Sequence, residues 1–316
     1  MRAAVTWTGG KDCCLACYEA KTEGFDVSVL LNFMFTDMEM RTHYSASNLL
    51  KYMFKDFGKP TIAKISVLLN VAIKTIYNRA PCIVLKSLNT MIKKTWTRLP
   101  HTFSTLLNAM VKNPKTMIWH EIPPEIIALQ AKAMEIPIIQ RKTTWSTFED
   151  QIKEEMQMLK HSGIDCVVWG IAPPGYPALD DSRKLGDYLQ LKAEKDWIDR
   201  VCREKKIKPI TPLWKKKPQQ VLADLIRAGF EAIVVVVNPE VLDEEWLGRK
   251  VDCNFLQEIC KLHEEKGIHI CGDEYHTFVI DGPLFKKRLK IAESEKIFKN
   301  GYYILHISKV ELVDKE

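Results

Sequence analysis

The first thirteen residues constrain this chain more than any other part of it. A short apolar run, Ala3 to Thr6, breaks at Thr8-Gly9-Gly10 and resumes as Lys11-Asp12-Cys13, where helical spacing begins and carries through Leu15 and Tyr18. Val27 to Phe35 is then a continuous apolar run, suited to a strand covered on both faces as parallel sheets require. The chain therefore opens as a β-α-β unit with a glycine turn at its first strand-to-helix junction. Two glycines let a ligand approach the backbone closely, and the amides of residues 9–13 at a helix start form a positive concavity suited to a phosphate. Lys11 adds a point charge able to follow a leaving pyrophosphate, while Asp12 is placed to cap the helix or to orient Mg²⁺.

Strand and helix alternate again from about residue 119. Helical stretches at 124–134, 147–160 and 193–205 precede apolar runs at 136–139, 164–169 and 209–213, a rhythm that predicts a doubly wound parallel α/β sheet. Beyond Trp214-Lys215 the pattern becomes α+β: helices at 219–228 and 255–266, and strands at 232–237, 277–280, 288–292 and 302–312. The expected organisation of the 316 residues is thus a nucleotide-binding domain, 1–213, followed by a substrate-binding domain, 214–316. Residues 44–118 interrupt the first domain as an inserted helical segment, and 173–181 read as a surface loop.

Charge sharpens this division. Residues 44–118 hold 12 Lys/Arg and one acid, Asp56, so the segment carries +11 against −5 for the remainder. Such asymmetry points to an acidic partner for that segment, such as nucleic acid or a membrane surface; contact with RNA or a ribonucleoprotein and a solvated lid are the two readings of the insertion. Elsewhere the composition is ordinary: 46% hydrophobic and 27% charged residues exclude disordered and collagenous classes. The apolar runs are too short to cross a membrane, the N-terminus lacks a signal-peptide pattern, and nine cysteines form no regular framework. A cytoplasmic location with reduced thiols is expected. The Cys14-to-Cys17 spacing reads as buried helix thiols, and Cys13, at a helix start beside Lys11, as a thiol of lowered pKa.

The Gly9-Gly10-Lys11-Asp12 run resembles the PP-loop, SGGKDS, of the N-type ATP pyrophosphatases, a HUP-like fold; Thr8 replaces its first serine and Cys13 its last. A second motif stands near the other end: Gly267-Ile268-His269-Ile270-Cys271-Gly272-Asp273-Glu274-Tyr275-His276-Thr277-Phe278, then Asp281-Gly282-Pro283-Leu284-Phe285. Together these resemble the diphthine–ammonia ligase family. Leu129-Gln130-Ala131-Lys132-Ala133-Met134, Pro212-Leu213-Trp214 and Trp246-Leu247-Gly248-Arg249 agree in the same order, and the likeness covers 1–37 and 119–316. It implies ATP cleavage between the α- and β-phosphates with Mg²⁺, and amidation of a carboxylate by ammonium through an acyl-adenylate. The implied acceptor is the diphthine side chain of elongation factor 2.

Carried onto this sequence, the resemblance assigns ATP binding to Thr8, Gly9, Gly10, Lys11, Asp12 and Cys13, with Mg²⁺ held by Asp12. It assigns the substrate to His120, Gly272, Glu274, Tyr275, His276 and Thr277, and catalysis to Lys11, Asp12 and Glu274. His43 competes with His120 for the place of a substrate-facing histidine; His120 is favoured because it runs straight into the matching helix. The family's GEGGEY is shortened here to Gly272-Asp273-Glu274-Tyr275, and the His276-Thr277-Phe278 spelling leans toward its prokaryotic branch. A tRNA-modifying PP-loop enzyme and an ATP-binding sensor without turnover are the alternative readings.

Overall fold

The structure, a computed structural model, describes residues 1–36, 121–144, 146–172, 182–271 and 274–315. The 44–118 segment, the 173–181 loop, His43, His120, Gly272 and Asp273 therefore lie outside the described residues. Five strands, β1 (Arg2–Thr6), β2 (Asp26–Phe35), β3 (Ile138–Thr143), β4 (Cys166–Val168) and β5 (Lys208–Ile210), form a parallel sheet in the order β3-β2-β1-β4-β5. The helices between them are α1 (Lys11–Thr22), α2 (Pro124–Ala133), α3 (Phe148–His161) and α4 (Ser182–Glu204). This is the doubly wound α/β fold that the alternating pattern predicts. Its strand order reverses at β1 and β4, so the ligand crevice of such a sheet falls at the carboxyl ends of these two strands, beside the glycine turn.

The central strands explain their own position. Ala3, Ala4 and Val5 of β1 and all three residues of β4 are fully buried, which continuous apolar strands achieve only with helices on both faces. α1 is unusual in burying Cys13, Cys14, Leu15, Ala16, Cys17 and Ala20 together. Its small side chains let it pack beneath β1 on one side and against the second sheet on the other, and Cys14 and Cys17 are buried helix thiols as their spacing suggests.

The second sheet is antiparallel. α5 (Pro218–Arg227) leads into β6 (Glu231–Val237), α6 (Cys253–Lys266) follows, and β7 (Tyr275–Asp281), β8 (Lys287–Lys299) and β9 (Tyr302–Asp314) complete the order β7-β6-β9-β8. β6 is its buried centre, and β7 is an edge. β8 runs on to Lys299, past the expected end at Ala292. The polar stretch Glu293 to Lys296 shows no apolar alternation, yet its backbone pairs with β9 across a bulge near Ile291, and Asn300-Gly301, both at positive φ, close the hairpin. Apart from the start of α4, residues 182–194, the described chain forms one compact unit containing both sheets. Among the described residues no helix is long and apolar enough to cross a membrane.

An ion-pair cluster ties α3 to the end of α4. Glu149 accepts from Arg200 at 2.7 and 2.9 Å, from Trp197 at 2.7 Å and from Lys153 at 2.7 Å. The Arg200 guanidinium, helped by Lys153 and Trp197 against the cost of burial, holds the Glu149 carboxyl well below the usual carboxylate range. A depressed carboxyl pKa stabilises the fold above the unfolded value, near 4.5, and that contribution is lost as pH falls through the folded value. Arg200→Met is therefore expected to cost about 1–2 kcal/mol at pH 7 in urea denaturation, with the difference from wild type shrinking steadily below pH ~4. A pH-independent difference would show that the charge pair is not its source.

Candidate active site

The glycine turn is bound to the second sheet by backbone and side chain alike. β7, as an edge strand, has N–H and C=O groups that no neighbouring strand satisfies. The glycine turn supplies the partner: the Val279 N–H donates to the Gly9 carbonyl at 3.0 Å, and the Lys11 N–H donates to the Thr277 hydroxyl oxygen at 3.1 Å. Gly9 sits at φ +81°, and an added Cβ would lie 2.7 Å from Ile127 Cδ1 and 2.9 Å from Gln130 Oε1, so the turn requires glycine for both conformation and space. Gly10 is the N-cap of α1 in extended geometry, with no side-chain bond of its own.

Lys11 is the most buried cation described, its side chain 7% exposed. Its ammonium lies 2.8 Å from Asp12 Oδ2 and 5.6 Å from the centroid of the Tyr275 ring. That ring is buried, its hydroxyl donates to the Ile270 carbonyl at 2.5 Å, and burial drives its pKa well up, so Tyr275 stays neutral and offers an aromatic face to the lysine. Asp12 Oδ1 is buried without a hydrogen-bond partner among the described residues, as is Glu274 Oε2. Burial likewise pushes the Cys271 thiol up to about 12, with the charge of Lys11 opposing the rise and those of Asp12 and Glu274 adding to it.

The other oxygen of Glu274 is committed. Oε1 accepts from both the backbone N–H of His269, at 3.0 Å, and its Nδ1, at 2.7 Å, while the Glu274 carbonyl accepts from the Asn238 N–H at 2.9 Å. A carboxylate pinned through one oxygen presents the other in a fixed direction. Cys13 occupies the far end of the turn: burial raises its thiol pKa, but hydrogen bonding from Cys14, Thr8 and Gly9 outweighs this and holds it below the ordinary value. The lowering expected from the helix start thus comes from the local bonds around the sulfur.

Six residues expected of the site, Thr8, Gly9, Gly10, Lys11, Asp12 and Cys13, form the turn and the first helical residues. Tyr275 and Thr277, distant in sequence, meet them at the start of β7, with Glu274 the residue before Tyr275. His276 is half-buried, and strand alternation sends its Cβ to the face opposite Tyr275 and Thr277. One expectation changes in detail: the Lys11 amide, counted among the turn's anion donors, is engaged by Thr277. Three further residues carry the arrangement, and the motif reading assigned none of them a role. Gln130 is fully buried between the turn and β7, His269 holds Glu274, and Gly170 after β4 packs on the backbone of Asp12 and Cys13. Gln130 belongs to a motif shared with the family, and Gly170 stands at a strand's carboxyl end beside the reversal of strand order, which were the available signals.

Residues 1–67 match the family model of the diphthamide synthase N-terminal domain, and residues 217–313 that of the diphthamide synthase C-terminal domain. The chain belongs to the diphthamide synthase family. Its two matches contain the two halves of the site, the glycine turn and β7, and the first of them takes in the start of the basic 44–118 segment. The diphthine–ammonia ligase of Danio rerio is 26% identical over 193 residues, covering 57% of this chain and 70% of the relative. That of Bos taurus is 27% identical over 184 residues, covering 54% and 64%, and that of Homo sapiens 26% over 188 residues, covering 55% and 65%. The similarity thus spans about two thirds of these relatives' own length. A solved structure described as a predicted subunit of tRNA methyltransferase from Methanocaldococcus jannaschii aligns over 90% of this chain and 98% of its own. Its TM-score of 0.33 and identity of 12% are too low to bear on function.

Proposed function

We propose that this member of the family is an ATP-dependent carboxylate–ammonia ligase that amidates the diphthine side chain of elongation factor 2. A carboxylate lacks a good leaving group. In the proposed reaction its oxygen attacks the α-phosphorus of ATP, the α–β bond breaks, and pyrophosphate departs; ammonia then adds to the acyl carbon and AMP leaves. The observation that carries this reading is the joining of Lys11 and Gly9 to Thr277 and Val279, because it makes the phosphate-type turn and the family's second signature strand one structure. Lys11, fixed beside Asp12 and Tyr275, stabilises charge developing on the departing pyrophosphate. Ammonium must lose a proton before it can attack, and Glu274, held by His269 with Oε2 unengaged among the described residues, is the carboxylate placed to accept it.

Mg²⁺ fits this donor set. Among the described residues there is no group of three ligands able to cage a metal, but Asp12 Oδ1 is a buried carboxylate oxygen without a partner, suiting an ion that takes one protein carboxylate and keeps phosphate and water as its other ligands. When bound, the ion would neutralise phosphate charge. The test is incubation with ATP, Mg²⁺, ammonium and elongation factor 2 carrying diphthine. AMP and pyrophosphate are expected in equal amounts, matched by amide formed; ADP and phosphate without AMP would overturn the proposal.

Glu274→Gln separates the two halves of the site. It keeps shape but removes the proton acceptor, so ATP affinity is expected to stay within about threefold, under ~1 kcal/mol. Acceptor-dependent AMP formation is expected to fall at least ~10²-fold, the scale of one general base. Collapse of ATP affinity in equilibrium binding would move Glu274 to the nucleotide side.

A further inference from the structure

Gln130 projects from α2 and is 0% exposed. A primary amide has two N–H donors and an acceptor oxygen, and all three are used. Nε2 donates to the Gly9 carbonyl at 3.1 Å and to the Val279 carbonyl at 2.7 Å, while Oε1 accepts from the Trp7 indole N–H at 2.7 Å. The Gly9 carbonyl thus receives two N–H donors, from Gln130 and from the Val279 backbone, besides a long contact from the Cys14 thiol at 4.0 Å. Across a trans peptide the carbonyl and the following N–H point to opposite sides. Fixing the Gly9 carbonyl against α2 and β7 therefore fixes the Gly10 N–H on the other side, where an anion-binding turn needs its donor.

We propose that Gln130 is a positioning residue for nucleotide binding, clamping the Gly9 carbonyl to β7 so that the Gly10 amide is held facing a phosphate. The inference rests on the reading of the glycine turn as the ATP site. It also gives β7 a second role, since the strand that begins at Tyr275, next to Glu274, supports the nucleotide turn through Val279.

The test uses α,β-methylene ATP, which binds without being cleaved, and titration calorimetry on the full chain. Gln130→Met keeps volume and removes the clamp; Trp7→Phe removes a hydrogen bond to the same amide and leaves the Gly9 and Val279 contacts. Both are expected to lower Tm. Gln130→Met is expected to weaken analogue binding about tenfold or more, the consequence of a misplaced donor, and Trp7→Phe to leave it within about twofold. Unchanged binding in Gln130→Met, or loss of binding that tracks Tm equally in both variants, would overturn the proposal. Absence of analogue binding by the wild type would instead overturn the ATP reading of the turn. A measurement on the wild type guards against a variant that does not fold: on analogue binding, the Gly10 amide and the Gln130 side-chain NH₂ resonances are expected to shift together. A shift of Gly10 alone would also overturn the clamp.

Discussion

Replacing Lys11 with methionine is expected to slow pyrophosphate release by about 10²–10³-fold, the scale for losing one preorganised charge contact at a reacting centre. Methionine preserves the unbranched stem in a site where the lysine side chain is 7% exposed, so the substitution removes charge with little change of packing. The ammonium is held before any ligand arrives, by Asp12 Oδ2 at 2.8 Å and by the Tyr275 face, so no reorganisation precedes its action. Its partner charge, on pyrophosphate, grows as the α–β bond breaks. The loss should consequently fall on kcat more than on KM for ATP. Single-turnover measurement of pyrophosphate release checks this; near-normal kcat in Lys11→Met would remove the residue from the chemical step, and a loss confined to KM would make it a binding residue only.

The glycine turn was legible because everything that defines it is local. A strand, two glycines, a lysine and an acid occupy consecutive positions, and the α/β rhythm around them follows from hydrophobic periods that a window of residues contains. What a sequence window does not contain is the partner of each group. Lys11 and Thr277 are 266 positions apart, Trp7 and Gln130 are 123, and Gly9 meets Val279 through backbone atoms that leave no side-chain signature. The resemblance assigned Thr277 to the substrate, but its hydroxyl accepts from the turn's own backbone. Similarly, His276 looks equivalent to its neighbours in the motif, and the period of two separates it from them. The extension of β8 was hidden for a different reason: its residues 293–299 are mostly exposed and are held by ladder bonds to the more buried β9 and by the turn, and neither demands an apolar pattern in β8 itself.

Gly170→Ala is the second large effect expected, and it tests whether the carboxyl end of β4 is part of the nucleotide site. A Cβ on this residue would stand 2.6 Å from the Cys13 nitrogen, 2.7 Å from Cys13 Cα and 2.8 Å from the Asp12 carbonyl carbon. These are backbone atoms at the start of α1, so no rotamer change relieves the overlap. Either the segment after β4 or the first turn of α1 must move, and α1 is held on its far side by Thr277, through the Lys11 amide. Small-to-large changes in packed surroundings typically cost about 1–3 kcal/mol of stability. The functional cost is expected to be larger, about 10²-fold in AMP formation, because a displacement of about 1 Å carries Lys11 and Asp12 off the reacting geometry. Gly24→Ala is the comparison: its added methyl meets nothing within 4 Å, so it strains only its own turn and should leave AMP formation unchanged. If Gly170→Ala loses stability but turns over ATP like Gly24→Ala, the approach of β4 to α1 serves packing alone. A selective loss of turnover would instead place the end of β4 beside β1 and β7 as a third wall of the site.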